Sequence, residues 1–195
     1  MPEGSIVKKR LNFKLLLVVE AIMTHHLYLT GFMASGKTYL GRQLAQLLEW
    51  DFIDLDDLIE SRTGKSITEI FTTEGEDRFR RLESETLRSL STLEETAVVS
   101  CGGGTPCYLG NQDWMLENGK VVFLDVSEEI LTERLVAGAA HRPLAAERAD
   151  LTDFIREKLA SRRPIYEKAH IRLVIDNPNA PVARLLYEQL AKDGY

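Results

Sequence analysis

From residue 25 onward, short apolar runs alternate with helix-length amphipathic stretches, and this alternation predicts an α/β fold. The sheet is expected to be parallel, with helices on both faces. Two further observations support that class. The chain has 195 residues, enough for one ordinary domain and too few for two separate cores. The glycine- and acid-bearing segments follow predicted strands directly, and ligands of such sheets sit beyond the carboxyl ends of the strands. The chemistry is therefore expected just after Thr30, Ile53 and Ser100.

The elements follow in order. His25–Thr30 reads as a strand ending at Gly31. Lys37–Glu49 reads as a helix, because Leu40, Leu44, Leu47 and Leu48 fall on one stripe. Phe52–Leu55 is a short strand, and Asp56–Arg62 and Ile67–Phe71 are short helices broken at Gly64. Glu76–Leu90 is a longer helix, with Phe79, Leu82, Leu87 and Leu90 at helical spacing. Thr96–Ser100 is a buried strand running into Gly102-Gly103-Gly104, and Lys120–Val126 is another strand. Ser127 suits the N-cap of the next helix, with Glu128 and Glu129 in its first turn. Asp150–Glu167 is mostly helical, and Pro164 is expected to distort or interrupt it. Ile171–Ile175 is the last strand and Pro181–Leu190 the last helix.

Composition narrows the function. Hydrophobic residues make up 44% and charged residues 28%, which is ordinary for a folded domain. The formal net charge of −6 disfavours a nucleic-acid partner, which needs a basic surface. Two cysteines, Cys101 and Cys107, cannot build a disulfide framework and suit a reducing compartment. No apolar run reaches the roughly 20 residues of a membrane span. Lys8-Lys9-Arg10 before Leu11–Ile22 resembles the start of a signal peptide. Lys14 and Glu20 interrupt that stretch, however, so residues 1–22 read as an extension outside the domain of residues 23–195.

Gly31-Phe32-Met33-Ala34-Ser35-Gly36-Lys37-Thr38 matches G-x-x-x-x-G-K-[ST] between a strand and an amphipathic helix. Its glycines let successive backbone N–H groups turn inward toward phosphate oxygens, and the following helix presents its positive end. Lys37 would reach the β- and γ-phosphates, and the Thr38 hydroxyl would hold Mg²⁺. Binding of an Mg-nucleotide is expected. Asp54 and Asp56 form an Asp-x-Asp whose alternate positions would share one side of a strand. One could hold Mg²⁺ through water and the other accept a proton from an attacking hydroxyl. The same acids, with Asp57, would equally serve to cap the next helix.

The other anchors have plainer alternatives. Three glycines at 102–104 permit close approach to a ligand, or form a bare loop. Arg80, Arg81 and Glu83 either form a solvated face or place Glu83 where it orients Arg80. His141-Arg142-Pro143-Leu144 lies in a Gly-, Ala- and charge-rich segment suited to a lid over residues 138–150. Arg162 offers a planar fork for a carboxylate. The histidines lack metal spacing, and no serine elbow, protein-kinase set or guanine-reading motif is present.

Taken together, these residues resemble the shikimate kinase family over about residues 25–193. The resemblance rests on an ordered set: the phosphate loop, Asp54-x-Asp56, Arg62-Thr63-Gly64-Lys65-Ser66-Ile67, Ile70-Phe71, Gly75-Glu76, Phe79-Arg80-Arg81-x-Glu83, Gly102-Gly103-Gly104, Arg142-Pro143-Leu144 and Arg162-x-Pro164-x-Tyr166. It implies a P-loop NTPase fold of the nucleoside-monophosphate-kinase type, a three-layer sandwich around a five-stranded parallel sheet. It implies transfer of phosphate from ATP to the 3-hydroxyl of shikimate, with Mg²⁺, in the route to chorismate and aromatic amino acids. A cytoplasmic monomer acting on a small molecule, without nucleic acid or membrane, is expected.

Carried over by position, the implied catalytic residues are Lys37, Asp56 and Arg142. The nucleotide contacts are Gly31, Ala34, Ser35, Gly36, Lys37, Thr38, Tyr39, Arg134, Arg142 and Pro181. Those to shikimate are Asp56, Arg80, Gly102, Gly103, Gly104 and Arg162, with Arg80 and Arg162 clamping its carboxylate. Thr38 would hold Mg²⁺ directly and Asp54 through water, with Ser100 where the family has a reduced Walker-B element. Residues 1–22 lie before the family's usual start, which makes Met23 an alternative first residue. Cys101 stands at an often apolar position, so an oxidisable thiol near the site is expected. A kinase of similar fold for another metabolite, such as gluconate, and a silent nucleotide-binding module remain the alternatives.

Overall fold

The computed structural model describes residues 26–139 and 148–192. Residues 1–22, His25, and His141 and Arg142 with most of the expected lid lie outside that range. Among the described residues, five parallel strands form one sheet: β1 (His26–Thr30), β2 (Asp51–Asp54), β3 (Ala97–Ser100), β4 (Gly119–Val126) and β5 (Ile171–Ile175). Their order is β2-β3-β1-β4-β5. Between them run helices α1 (Lys37–Leu48), α2 (Leu55–Thr63), α3 (Ile67–Glu74), α4 (Glu76–Ser89), α5 (Asn111–Glu117), α6 (Glu128–Ala139), α7 (Arg148–Tyr166) and α8 (Val182–Lys192).

The alternation of β1 sets up three layers. Leu27 and Leu29 face a core built with Leu40 and Leu44 of α1, Ile155 and Leu159 of α7, and Leu186 and Leu190 of α8. Tyr28 points the other way, into a core with Leu55 and Ile59 of α2, Phe79 and Leu87 of α4, and Met115 of α5. Register pairs Leu29 with Ser100 and Asp54 with Ser100, so the carboxyl ends of β1, β2 and β3 lie level. The three expected chemical segments therefore emerge side by side.

Several boundaries differ from expectation for local reasons. Helix α1 stops at Leu48 because Glu49 turns left-handed (φ 57°), and the Trp50 N–H bonds back to the Ala45 carbonyl. Gly64 ends α2 in the same conformation (φ 67°), and Ser66 caps α3 by accepting from the Glu69 N–H at 3.2 Å. Helix α5 was not legible in the sequence. Its seven residues depend on Asn111, which accepts from Ser84 Oγ at 2.9 Å and donates to the Thr105 carbonyl at 2.9 Å. Pro164 does not interrupt α7, which runs on to Tyr166. It stands in the last turn, where only one backbone bond is lost.

The buried His26 is structural. Its Nε2–H donates to the Leu90 carbonyl at 2.9 Å, and its Nδ1 accepts from the Ala97 N–H at 3.1 Å. Among the described residues, no group of three His, Cys, Asp or Glu is placed to hold a metal, and no helix is long and apolar enough to cross a membrane.

Candidate active site

The phosphate loop leaves β1 at Gly31, whose φ is 140°. A Cβ there would also stand 2.8 Å from the Leu124 carbonyl, so only glycine fits. The loop closes through the Ser35 N–H to the Phe32 carbonyl and enters α1 at Gly36. Lys37 is buried at 8% exposure, and its Nζ donates to the Gly31 carbonyl (3.0 Å), the Phe32 carbonyl (2.8 Å) and Ser35 Oγ (3.2 Å). Burial is the main influence on its ammonium and pushes the pKa down to about 8, against the opposing pull of Asp56 and Asp54. Arg134 of α6 donates to the carbonyls of Ala34 (3.2 Å) and Ser35 (3.0 Å), tying α6 to the loop.

Asp54 caps α2, accepting from the Asp56 N–H at 3.1 Å. This corrects the alternating-strand argument: β2 ends at Asp54, and Asp56 lies in the first turn of a helix. Capping and chemistry are nonetheless compatible, because a carboxylate has two oxygens. The second, Oδ2, accepts from Thr38 Oγ1 at 2.8 Å, and Thr38 Oγ1 also stands 3.3 Å from Ser100 Oγ. Asp56 has no partner for its buried Oδ1 among the described residues. Burial first, then the charges of Asp54 and Glu83, raise its pKa to about 6. It lines a cavity of about 710 Å³ together with Met33, Lys37, Thr38, Asp54 and Gly103.

Beyond that cavity, the glycine loop meets two arginines. A Cβ on Gly104 would stand 2.6 Å from Arg80 Nη1, so the guanidinium occupies the space that a side chain would fill. Arg80 donates from Nη1 to Glu83 at 3.0 Å, and from Nε and Nη2 to one Glu76 oxygen at 3.1 and 2.9 Å. Glu83 is fully buried, which raises its carboxyl pKa despite Arg80, and it also accepts from Thr105 Oγ1. The expectation that Glu83 orients Arg80 is met, and the solvated-face alternative for that pair is not. Arg162 reaches the same loop, donating to the Gly103 carbonyl at 3.3 Å, and Tyr166 Oη donates to the same oxygen. Lys37, Arg80 and Arg162 thus converge in a chain whose total charge is −6; anion binding depends on the local field and not on the sum.

A second cavity of about 610 Å³ lies on the other side of the phosphate loop. Ser35, Gly36, Tyr39, Arg134 and Pro181 line it, so five of the expected nucleotide contacts share one pocket. Arg142 lies outside the described residues. Cys101 lines the same cavity as Asp56, as expected of a thiol near the site, but it is 1% exposed, lies 3.7 Å from Met115 Sδ, and burial pushes its thiol pKa up, which disfavours the thiolate. Sequence reasoning missed Tyr108, whose ring lies 4.2 Å from the Arg80 guanidinium carbon, and Thr105 beneath Glu83. Nothing in the linear order marks either residue, because both partners belong to α4.

A family model described as shikimate kinase matches residues 33–192. A shikimate kinase of Phocaeicola vulgatus is 44% identical over 145 residues, 73% of this chain and 82% of that protein. The solved structure of shikimate kinase from Bacteroides thetaiotaomicron superposes with a TM-score of 0.79 at 37% identity, over 86% of this chain and 98% of that one. Shikimate kinase from Acinetobacter baumannii, solved in complex with shikimate, gives a TM-score of 0.73 at 34% identity, over 89% of this chain and 94% of that one.

Proposed function

The chain belongs to the shikimate kinase family, and on that premise we propose how its residues carry the reaction. The activity is the ATP-dependent phosphorylation of shikimate, a step of chorismate and aromatic amino acid biosynthesis. In our reading the acceptor is the 3-hydroxyl, and residues 23–195 form the kinase domain of a cytoplasmic monomer. The observation that carries the assignment of roles is the convergence of Asp56, Arg80 and Arg162 on the 102–104 loop, which borders the cavity that Lys37 also lines.

Arg80 and Arg162 bind the shikimate carboxylate as planar forks. Gly102, Gly103 and Gly104 leave room for the ring. Asp56 holds the attacking hydroxyl and takes its proton as the oxygen bonds to the γ-phosphorus. The bond from that phosphorus to the bridging oxygen breaks, and ADP leaves. Lys37 and the inward N–H groups of the loop stabilise charge on the phosphoryl oxygens. The base lies in the pocket of Tyr39, Arg134 and Pro181. Arg142 takes its place over the phosphates by resemblance alone.

The donors at Thr38 fit Mg²⁺. They are hard oxygens from Thr38, Asp54 and Ser100, and Mg²⁺ with a nucleotide needs only one or two carboxylates and keeps several waters. Thr38 would hold the ion directly and Asp54 through water. Bound there, it would offset the charge of the nucleotide phosphates.

Two measurements test this reading. With ATP and Mg²⁺, ADP release is expected to depend on shikimate and to stay near background with gluconate; equal turnover of the two acids would defeat the substrate assignment. Arg162→Ala is expected to raise the shikimate KM on the order of 10–100-fold while the ATP KM moves less than about twofold. A selective loss of ATP affinity would remove Arg162 from the carboxylate site.

A further inference from the structure

The C-terminal end of α7 carries two successive arginines with different destinations. Arg162 and Tyr166 are four residues apart and share a stripe, and both donate to the Gly103 carbonyl. Arg163 lies about 100° further round the helix and points to the sheet. Its Nη2 donates to Asp125 Oδ1 at 2.9 Å and its Nη1 to Asp125 Oδ2 at 3.1 Å, a bidentate fork. Asp125 lies on β4 two residues after Phe123, on the same face, and the Phe123 ring packs on Tyr166 at 5.1 Å between centroids. Two residues of one strand thus grip two residues of one helical turn.

Pro164 has no N–H, so the backbone bond to the Ala160 carbonyl is missing from this stretch. The Asp125 carboxylate is itself held firmly: its side chain is 8% exposed, and Arg172 adds a hydrogen bond from Nε at 2.8 Å. Burial alone would raise its pKa, but the hydrogen bonds from Arg163 and Arg172 outweigh burial and keep it below the usual carboxylate range. Glu167 stands beside both arginines, so the cluster of two cations and two anions is balanced. None of these groups touches the 102–104 loop in the contacts described.

We propose that Asp125 is a positioning residue for substrate: acting through Arg163, it fixes the rotation of the C-terminal end of α7 and so aims Arg162 at the shikimate carboxylate. This rests on the reading of Arg162 as a carboxylate clamp. A small misplacement of a binding group is enough to cost an order of magnitude or more. The role belongs to ground-state binding of one substrate, so it has a kinetic signature that general damage to the fold lacks.

The test uses the full chain and steady-state kinetics in both substrates. Asp125→Asn and Arg163→Ala are each expected to raise the shikimate KM about tenfold, with the ATP KM and kcat changed less than about threefold. The double variant is expected to be no worse than the worse single one, because both changes break one contact. Arg163→Lys, which keeps the charge without the fork, is expected to recover part of the loss. If Asp125→Asn does not fold, Arg163→Ala carries the test alone, since Arg163 is one-third exposed and Asp125 keeps Arg172. An unchanged shikimate KM in Arg163→Ala, or equal rises in both KM values, overturns the proposal. If Arg162→Ala itself leaves the shikimate KM unchanged, the clamp reading has failed and the proposal falls with it. If Arg162→Ala raises it and the other variants do not, the proposal alone falls.

Discussion

Replacing Lys37 with alanine is expected to lower kcat at least about a thousandfold, as measured by ADP release with shikimate in excess. The ammonium is buried and makes three hydrogen bonds inside the loop that should receive the phosphates. A charge held in such a place needs no reorganisation when the phosphoryl group develops charge, and a low local dielectric makes it count for more than in water. Nucleotide affinity should fall less than turnover, because the backbone N–H groups and the base pocket remain. Near-normal turnover would refute the role given to Lys37.

Asp56→Asn is expected to lower kcat on the order of 100–10,000-fold, since the amide can hold the hydroxyl but cannot take its proton. The same change should make the protein more stable at pH 7. The pKa of Asp56 is about 6 in the folded chain, above the unfolded value of about 4. An acid whose folded pKa is raised binds its proton more tightly when folded. Stability is therefore lost as pH climbs from about 4 to about 6, and the full cost is present at pH 7. Asparagine removes that cost, so the variant's melting temperature should exceed the parent's at pH 7 and match it near pH 4. Equal melting temperatures at both pH values would show that the Asp56 charge costs nothing. In the parent, kcat/KM for ATP should rise as pH passes about 6, when Asp56 ionises, and fall beyond about 8, when Lys37 loses its proton. A flat profile between pH 5 and 9 would detach both groups from the reaction.

What was legible in the chain was mostly local. The phosphate loop and α1 are consecutive residues whose backbone and side-chain needs are met within one segment, so the motif could be read directly. Arg80 and Glu83 are three residues apart on a helix, and their pairing followed from helical geometry. Asp54 and Asp56 do line one cavity, but through the helix cap that the sequence offered as the alternative, and not through alternate positions of a strand. The ambiguity is physical in origin, because an acid that can cap a helix and an acid on a strand look alike in sequence. Helix α5 escaped notice because it is held by Asn111 hydrogen bonds and carries no long apolar stripe.

The sequence by itself determined the α/β class, the nucleotide-loop pattern, and the acids and arginines from which a site could be built. Those properties reside in residue type and short spacing. Only the tertiary structure decided that β1 lies between β3 and β4, that Arg162 meets the glycine loop 59 residues earlier in the chain, and that Tyr108 covers Arg80. It also decided that Cys101 is buried and that Asp125, 38 residues before Arg163, grips the helix behind the site. Parallel crossovers bring distant segments to one sheet edge, and no local periodicity records which strands become neighbours. Contact between remote side chains is a property of the packed layers, so it becomes readable only once those layers exist.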